Sequence, residues 1–478
     1  MKKEDLIKIN NYLWEIPQSF RKDMRVPGRV YATEKMLSQI LLDRSLEQLV
    51  NLTTLPLIMK YVLAMPDIHE GYGAPIGGVG ATLMPEGAIS PGFCGYDINC
   101  GVRLLKTFLK EEEIKSKIDN LSEEIFKTIP SGLGKGGGFK LEDRKMDQVL
   151  EEGMVFLEKE GYASSKDLEH CESYGRLEMA DAAKVSFLAK ARGKDQLGTL
   201  GSGNHFLEIQ KVDFLDDKEL AENLGLKEGD ITILIHTGSR GLGHQVATDY
   251  LKNFLRAMGR YKIDIPDKEL ACVPFNSPEG RSYFSAMAAA ANFAWSNRQI
   301  ITYFIRQTWK KFFKTDKLPE LVYDVAHNII KIEKHSFPEE REVLVHRKGA
   351  TRAFPAGHEE LPEDYKKIGQ PVIIPGSMGT SSYVLIGQPS AMTEAFGSSC
   401  HGSGRQMSRH EAVKKASGKE IKETLKASGV IIKTNSISSL SEEAPYAYKD
   451  IEEIIEVISQ TGIAKKVVRL KPLAVIKG

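Results

Sequence analysis

Five side chains in this sequence have the types needed to hold metal as a set. Asp97 and Cys100 stand in Asp97-Ile-Asn-Cys100, a short loop between Pro91-Gly92 and an apolar run that begins at Gly101. His205 immediately precedes the run Phe206 to Val212, His236 immediately follows Ile231 to Ile235, and His327 follows Leu321 to Val325. One carboxylate, one thiolate and three imidazoles are enough donors for two metal ions if the thiolate bridges them. Two cations about 3.5–4 Å apart can clamp a phosphoryl group and stabilise its attacking and leaving oxygens together. Ligand softness alone favours zinc at a Cys/His site. Against this stands the simpler reading: a single strand-end histidine is more often hydrogen-bonded or exposed than a ligand, and a lone Cys100 is a small buried apolar residue.

Three segments rich in small residues suit phosphate. Pro375-Gly-Ser-Met-Gly-Thr-Ser-Ser382 follows the run Val372 to Ile374, His236-Thr-Gly-Ser-Arg-Gly-Leu-Gly243 has similar character, and His401-Gly-Ser-Gly-Arg405 places an imidazole beside two glycines and an arginine. Such loops let backbone N–H groups approach phosphate oxygens. A neutral imidazole at 401 could attack phosphorus and form a phosphoramidate, and Arg405 could neutralise charge on the group in transfer. Other signatures are missing or weak. Gly132-Leu-Gly-Lys-Gly-Gly137 formally fits G-x-G-x-x-G but no βαβ unit surrounds it. No G-x-x-x-x-G-K-[ST] loop, H-E-x-x-H helix or Lys-x-Asp-Gly signature occurs, so nucleotidyl chemistry here needs a nucleophile other than that lysine.

Short apolar strands alternating with amphipathic helices must position these groups. Strands are expected at Gly101 to Lys106, Phe206 to Val212, Ile231 to Ile235, Leu321 to Val325, Glu342 to His346 and Val372 to Ile374. The β-branched run Ile231 to Ile235 reads as a strand buried on both faces. Helices are expected at Gln39 to Leu49, Glu111 to Lys127, Lys145 to Glu160 and Ser282 to Phe313, the last Ala-rich and buried. Gly132 to Gly138 reads as a mobile surface loop. With no repeat and no low-complexity linker, the chain reads as one large α+β unit spanning residues 1–478.

Composition narrows the class. With 478 residues and 41% hydrophobic content, a large core can be buried. Lys+Arg number 65 against 64 Asp+Glu, so any RNA-binding face must be a local patch. Five unclustered cysteines argue against a secreted disulfide framework. The charged start Met1-Lys-Lys-Glu-Asp lacks a signal-peptide core, and no uncharged apolar run reaches the ~18 residues of a membrane span, so a cytoplasmic enzyme with no membrane partner is expected.

Seven segments, read in order, closely resemble the RtcB family of tRNA-splicing ligases: Met65-Pro-Asp-Ile-His-Glu-Gly-Tyr-Gly73, Pro91-Gly-Phe-Cys-Gly-Tyr-Asp-Ile-Asn-Cys-Gly101, Gly201-Ser-Gly-Asn-His-Phe-Leu-Glu208, His236-Thr-Gly-Ser-Arg-Gly241, Asp324-Val-Ala-His-Asn328, Pro375-Gly-Ser-Met-Gly379 and His401-Gly-Ser-Gly-Arg405. Ser403 departs from the alanine more common in that family. The resemblance implies an α+β domain whose deep central cleft holds two manganese ions, with Asp97, Cys100, His205, His236 and His327 as ligands and Cys100 bridging. It implies His401 as the guanylated nucleophile, with Asn204, Arg405 and Asp67 also acting in catalysis, Asp67 near the RNA 5′ end. It assigns nucleotide contacts to Asn204, Phe206, Leu207, Glu208, Asn328, Pro375, Gly376, Ser377, Met378, Ser382, Gly402, Ser403, Gly404, Tyr448 and Lys477. Glu208 and Lys477 would read guanine: a carboxylate accepts from N1 and N2, and an ammonium meets O6 and N7.

The implied reaction is GTP-dependent ligation of an RNA 3′-phosphate or 2′,3′-cyclic phosphate to a 5′-hydroxyl, as in tRNA splicing and RNA repair. Cleaved tRNA halves are the expected substrates, and an archease-type activator an expected partner. The main rival is a metal-dependent RNA phosphoesterase or cyclic-phosphate hydrolase, which needs neither GTP nor His401. A non-catalytic RNA-binding protein would need no Asp/Cys/His set.

Overall fold

In the computed structural model, which describes residues 1–478 except 133–135, 138 and 140, two large sheets carry the chemistry-bearing segments. In the first, strands lie in the order Glu320–Ala326, Gly101–Lys110, Asp230–Thr237, Phe206–Leu215, Ala464–Lys477, Ser382–Gly387 and Pro371–Ile374, with Ile431–Thr434 added parallel to Ala464–Lys477. Asp230–Thr237 has a neighbour on each side, and its side chains serve two cores. Leu234 packs with Val102 and Phe206, whereas Ile231, Ile233 and Ile235 pack with Leu105, Leu207 and Ile209. This is why its β-branched run shows no polar alternation.

The second sheet runs Ile7–Lys8, Leu13–Ile16, Gly28–Tyr31, Val62–His69, Ile76–Leu83, Glu340–Lys348 and Asn328–Ser336. The chain leaves one sheet at Ala326 and enters the other at Asn328, so His327 sits at the crossing. Behind the first sheet lies the helix Pro278–Phe313. Ser277 accepts the Gly280 N–H at its start, Pro278 fills its first turn, and left-handed Lys314 (φ 52°) ends it. Ala286 and Ala288 to Ala291 are buried along it, small enough for close packing on all sides. The arrangement is a mixed α+β fold.

All six expected strands are present, each a little longer than its apolar run. Three expected helices are broken. Gln39 to Leu49 straddles two helices, Glu34–Ile40 and Ser45–Leu52, because the Asp43 carboxylate caps Ser45 N–H and starts a new helix. Lys145 to Glu160 divides at Gly153, whose φ of 57° ends one helix before Met154–Lys159 begins. Glu111 to Lys127 divides into Glu111–Ile114 and Ile118–Thr128. The glycine segment 132–138 lies partly outside the described residues. The strand Ala464–Lys477 was not expected; its Pro472 sits at a register shift, where a missing N–H costs no ladder bond. Among the described residues all five cysteines are free and buried, and no helix is long and apolar enough to cross a membrane.

Candidate active site

The five donors converge at one end of the first sheet. Cys100 is the residue before the strand Gly101–Lys110, His205 precedes Phe206–Leu215, His236 lies near the end of Asp230–Thr237, and His327 follows Glu320–Ala326. Antiparallel pairing sets Val102 and Phe206 on either side of His236 and Gly101 opposite Ala326, which brings these ends together. Cys100 Sγ lies 3.3 Å from His205 Nε2 and 3.5 Å from His236 Nε2. His236 Nε2 is 3.2 Å from His327 Nε2, and His205 Nε2 is 2.9 Å from Asp97 Oδ2. Two triads result, Cys100/His236/His327 and Asp97/Cys100/His205, each with its donor atoms within 4.8 Å of one another and sharing the sulfur.

The electrostatics of this cluster suit cations. Burial first, then the facing imidazoles, drives His236 and His327 well below the usual histidine range, so their lone pairs stay available. Burial and the neighbouring Asp97 push the Cys100 thiol up. Burial also penalises the Asp97 carboxylate, but the hydrogen bond and charge of His205 outweigh it and hold that group well below its ordinary value. So many lone pairs aimed at one another would be compensated by positive charge at the centre, and a bound dication would favour the thiolate outright. Asp97, Cys100, His205, His236 and His327 therefore fit a pair of divalent metal ions.

The loop carrying Asp97 and Cys100 is held by buried groups that sequence reading did not single out. Asn99, at φ 50°, donates its side-chain N–H to Ala291 O. Arg298 donates to Asn99 O and Thr237 O and pairs with both oxygens of Asp324, which also accepts from Arg103. One carboxylate thus ties the Asp97–Cys100 loop, the His236 strand and the strand leading to His327. A charged residue inside an Ala-rich helix was the available signal, since such a group needs a buried partner. Gly238 and Ser239 face Asp97: a Cβ at 238 would stand 2.6 Å from its carboxylate, and Ser239 Oγ donates to it at 3.2 Å. Asn328, expected at the nucleotide, donates to Asp97 O (3.1 Å) and accepts the Gly349 N–H (2.8 Å).

His401 enters from the second layer. It follows the short strand Ser398–Cys400, and its ring centroid is 5.0 Å from that of His327. Asp67, buried on the strand Val62–His69, accepts His401 Nδ1–H at 2.5 Å and the backbone N–H groups of His401 (3.0 Å) and Gly402 (3.3 Å). This fixes the ring so that Nε2 is the free nitrogen. Gly404 has φ +62°, and a Cβ there would lie 2.1 Å from Asp67 O, so only glycine allows this contact. Lys449 braces Asp67 from behind by donating to Pro66 O and Ile68 O.

Next to the donor cluster lies a set of buried polar atoms without partners among the described residues. Within the described residues these include Glu208 Oε1, Lys477 Nζ, Ser403 Oγ and Gln210 Oε1. Such atoms are costly unless a ligand satisfies them. Glu208 and Lys477 face each other across neighbouring strands, where Val475 pairs with Glu208 and Lys477 with Phe206. Burial pushes the Glu208 carboxyl up to about 8, against the hydrogen bond from Gln210 and the charge of Lys477. Burial pulls the Lys477 ammonium down, opposed by Glu443 and Glu208. Gln210 links Glu208 (2.7 Å) to Ser382 Oγ (3.1 Å), which in turn accepts the Gly376 N–H (3.2 Å). Lys477 Nζ lies 5.9 Å from the Phe206 ring centroid, and Phe206 is 5.3 Å from His236, so the Glu208/Lys477 pair and the five-donor cluster are continuous.

Other predicted residues are placed as follows. Gly402 approaches Pro375, a Cβ there standing 3.2 Å from Pro375 O. Ser377 N–H is bonded to Thr380 Oγ1, and Met378 is buried in the core with Phe206. Leu207 points to the opposite face from Phe206, into the core with Ile209, so only its backbone can reach a ligand. Asn204 is half-buried beside His205. The Arg405 guanidinium is engaged by Glu443, Tyr448, Glu442 O and Met407 O, and Tyr448 also bonds Glu443. Arg405, Glu443 and Tyr448 thus form one network.

A family model described as tRNA-splicing ligase RtcB matches residues 48–478. The tRNA-splicing ligase RtcB of Thermococcus kodakarensis is 51% identical over 477 residues, covering 99% of each chain. That of Nanoarchaeum equitans is 51% identical over 478 residues, and that of Archaeoglobus fulgidus 50% over 477, again with 99% of each chain covered. With a matching family model over nearly the whole sequence and relatives aligned end to end, the chain belongs to the RtcB family.

Proposed function

We propose that this protein is a cytoplasmic, GTP-dependent RNA ligase whose residues 1–478 work as one catalytic unit. It joins an RNA 3′-phosphate or 2′,3′-cyclic phosphate to a 5′-hydroxyl through guanylate carried on His401, with cleaved tRNA halves as substrates and an archease-type protein as activator. The observation that carries the reading is the Asp67–His401 pair (Nδ1 to Oδ2 2.5 Å) standing beside the His327 edge of the donor cluster.

Each residue then has a task. Glu208 and Lys477 read guanine, and the Gly376, Ser403 and Asn204 segments take the phosphates. His401 Nε2 attacks the α-phosphorus of GTP; an N–P bond forms as the P–O bond to pyrophosphate breaks, and the electron pair leaves with pyrophosphate. Asp67 keeps the Nδ1 proton and balances the positive ring that develops. Asp97, Cys100, His205, His236 and His327 would hold two manganese ions, which supply Lewis-acid charge to phosphoryl oxygens. A cyclic end is first opened by water to the 3′-phosphate; a 3′-phosphate oxygen then takes the guanylate as the N–P bond to His401 breaks, and the 5′-hydroxyl attacks the 3′-phosphorus and displaces GMP.

Incubation with manganese and α-labelled GTP tests this. The label should attach to the wild type, leave in acid as a phosphoramidate does, and be absent from His401→Ala that remains folded by circular dichroism. A hydrolase of the same donor set would take up no label, and label persisting on His401→Ala would remove His401 as nucleophile.

A further inference from the structure

Beyond the donor cluster, on its Asp97/His205 side, three aromatic rings follow one another outward. Tyr96 adjoins Asp97 and is half-buried, His244 is exposed on the first turns of the helix Arg240–Ala257, and Tyr72 is 67% exposed. The Tyr96 and His244 ring centroids are 6.2 Å apart with planes 32° apart, and Tyr72 meets Tyr96 edge-on at 6.0 Å. The inner end is open, since the Asp97 and His205 side chains keep 15% and 14% exposure.

The loops that carry these tyrosines are held firmly. The buried Lys348 ammonium donates to Tyr72 O and to Gly92 O, pinning both loops through their carbonyls. A Cβ at Gly73 (φ +71°) would lie 2.7 Å from Glu269 O, and one at Gly92 would lie 1.8 Å from it, so both loops close on the same segment. Tyr96 OH donates to Glu269 Oε2 at 3.0 Å, which fixes that ring. A large aromatic side chain presented to solvent on a pinned loop, at the mouth of a reactive site, is built to receive a flat partner.

Charge selects which part of the partner lies there. Glu269 accepts from Tyr96, and Glu70 and Asp267, two residues from Tyr72 and Glu269, face Arg44; the three carboxylates outnumber that cation and disfavour phosphate. Arg192 and Arg240 lie on the His244 side. A nucleobase on the tyrosines, with its phosphates directed toward the arginines, satisfies both. Single-stranded RNA ends offer such unstacked bases.

We propose that Tyr72, Tyr96 and His244 form a stacking ledge for the first nucleobase of the RNA strand that brings the 5′-hydroxyl. The inference rests on the RNA-joining function proposed above. It assigns this end because His401, from which the 3′-phosphate takes its guanylate, borders His327 on the other triad, away from the ledge.

The test uses the full chain with manganese and a short RNA whose 5′-hydroxyl nucleotide is 2-aminopurine, whose fluorescence falls on stacking. Wild type and Tyr72→Phe should quench the probe and bind it equally. Tyr72→Leu should lose the quench and bind about tenfold more weakly, as expected for one lost base–aromatic contact. A 3′-phosphate RNA fragment should bind Tyr72→Leu as it binds wild type. If Tyr72→Leu melts early, His244→Leu, on an exposed helix face, replaces it with the same expectation. Unchanged quench and affinity in a folded leucine variant overturn the ledge alone, provided the wild type takes guanylate from GTP and joins RNA. Failure of the wild type in both overturns the functional reading and the ledge together.

Discussion

Raising the pH should tighten guanosine binding, and the slope should come from one carboxyl. Burial holds Glu208 at about 8, far above its ordinary 4.5. At that value about 1% of the carboxyl is ionised at pH 6, about a tenth at pH 7 and half at pH 8. Guanine N1–H and N2–H need the carboxylate as acceptor, so binding releases the proton. The apparent Kd should therefore fall about fifty-fold between pH 6 and pH 8, close to 2.3 kcal/mol, and flatten above about pH 8.5. The sign for stability is opposite. A carboxyl raised by folding favours the native state while it keeps its proton. The nucleotide-free protein should therefore lose stability as pH rises from about 4.5 through about 8. Calorimetry with guanosine suits the question, because guanosine has no phosphate to titrate and cannot modify His401. Measured in two buffers of different ionisation enthalpy at pH 6.5, it should report release of nearly one proton. Glu208→Gln should bind more weakly and with a flat profile. A wild-type affinity constant from pH 6 to 8, or the same slope in Glu208→Gln, would refute the reasoning.

Asp67→Asn should slow labelling of His401 by about 10²–10⁴-fold without lowering the melting temperature, since the amide keeps the volume but not the charge facing Nδ1; labelling within twofold of wild type would remove Asp67 from catalysis. Cys100→Ala should cut bound metal from two ions per chain to one or none and abolish joining, because both triads share its sulfur; elemental analysis finding two ions retained would rule out the bridge. Arg298→Leu leaves Asp324 buried with half its partners, and should destabilise by about 3–5 kcal/mol in denaturant titration. An unchanged midpoint would mean that Asp324 is not the tie between loop and strands.

The donors were legible because each adjoins a strand whose apolar run is unambiguous, and strand ends that pair must bring their flanking residues together. Hydrophobic pattern could not show how those strands pair, so convergence rested on family resemblance rather than on spacing. The breaks at Asp43 and Gly153 escaped because apolar periodicity continues across them, while one side-chain cap and one positive φ decide the boundary. Ala464–Lys477 escaped because Pro472 and four lysines disguise a central strand. The partner of Arg405 had no local signal either: Glu443, which accepts from it, lies 38 residues on. Asp67 was visible as a polar residue in a glycine-rich motif, but its hold on His401 spans 334 residues and has no local signal.

That span bears on when the chemistry can begin during protein synthesis. Asp67 emerges from the ribosome early, and the histidine it must aim follows 334 residues later, after both sheets have been almost fully translated. A partly made chain holds neither an oriented imidazole nor the opposing strand that seats it, and therefore cannot carry out the proposed guanylate transfer before its architecture is nearly complete.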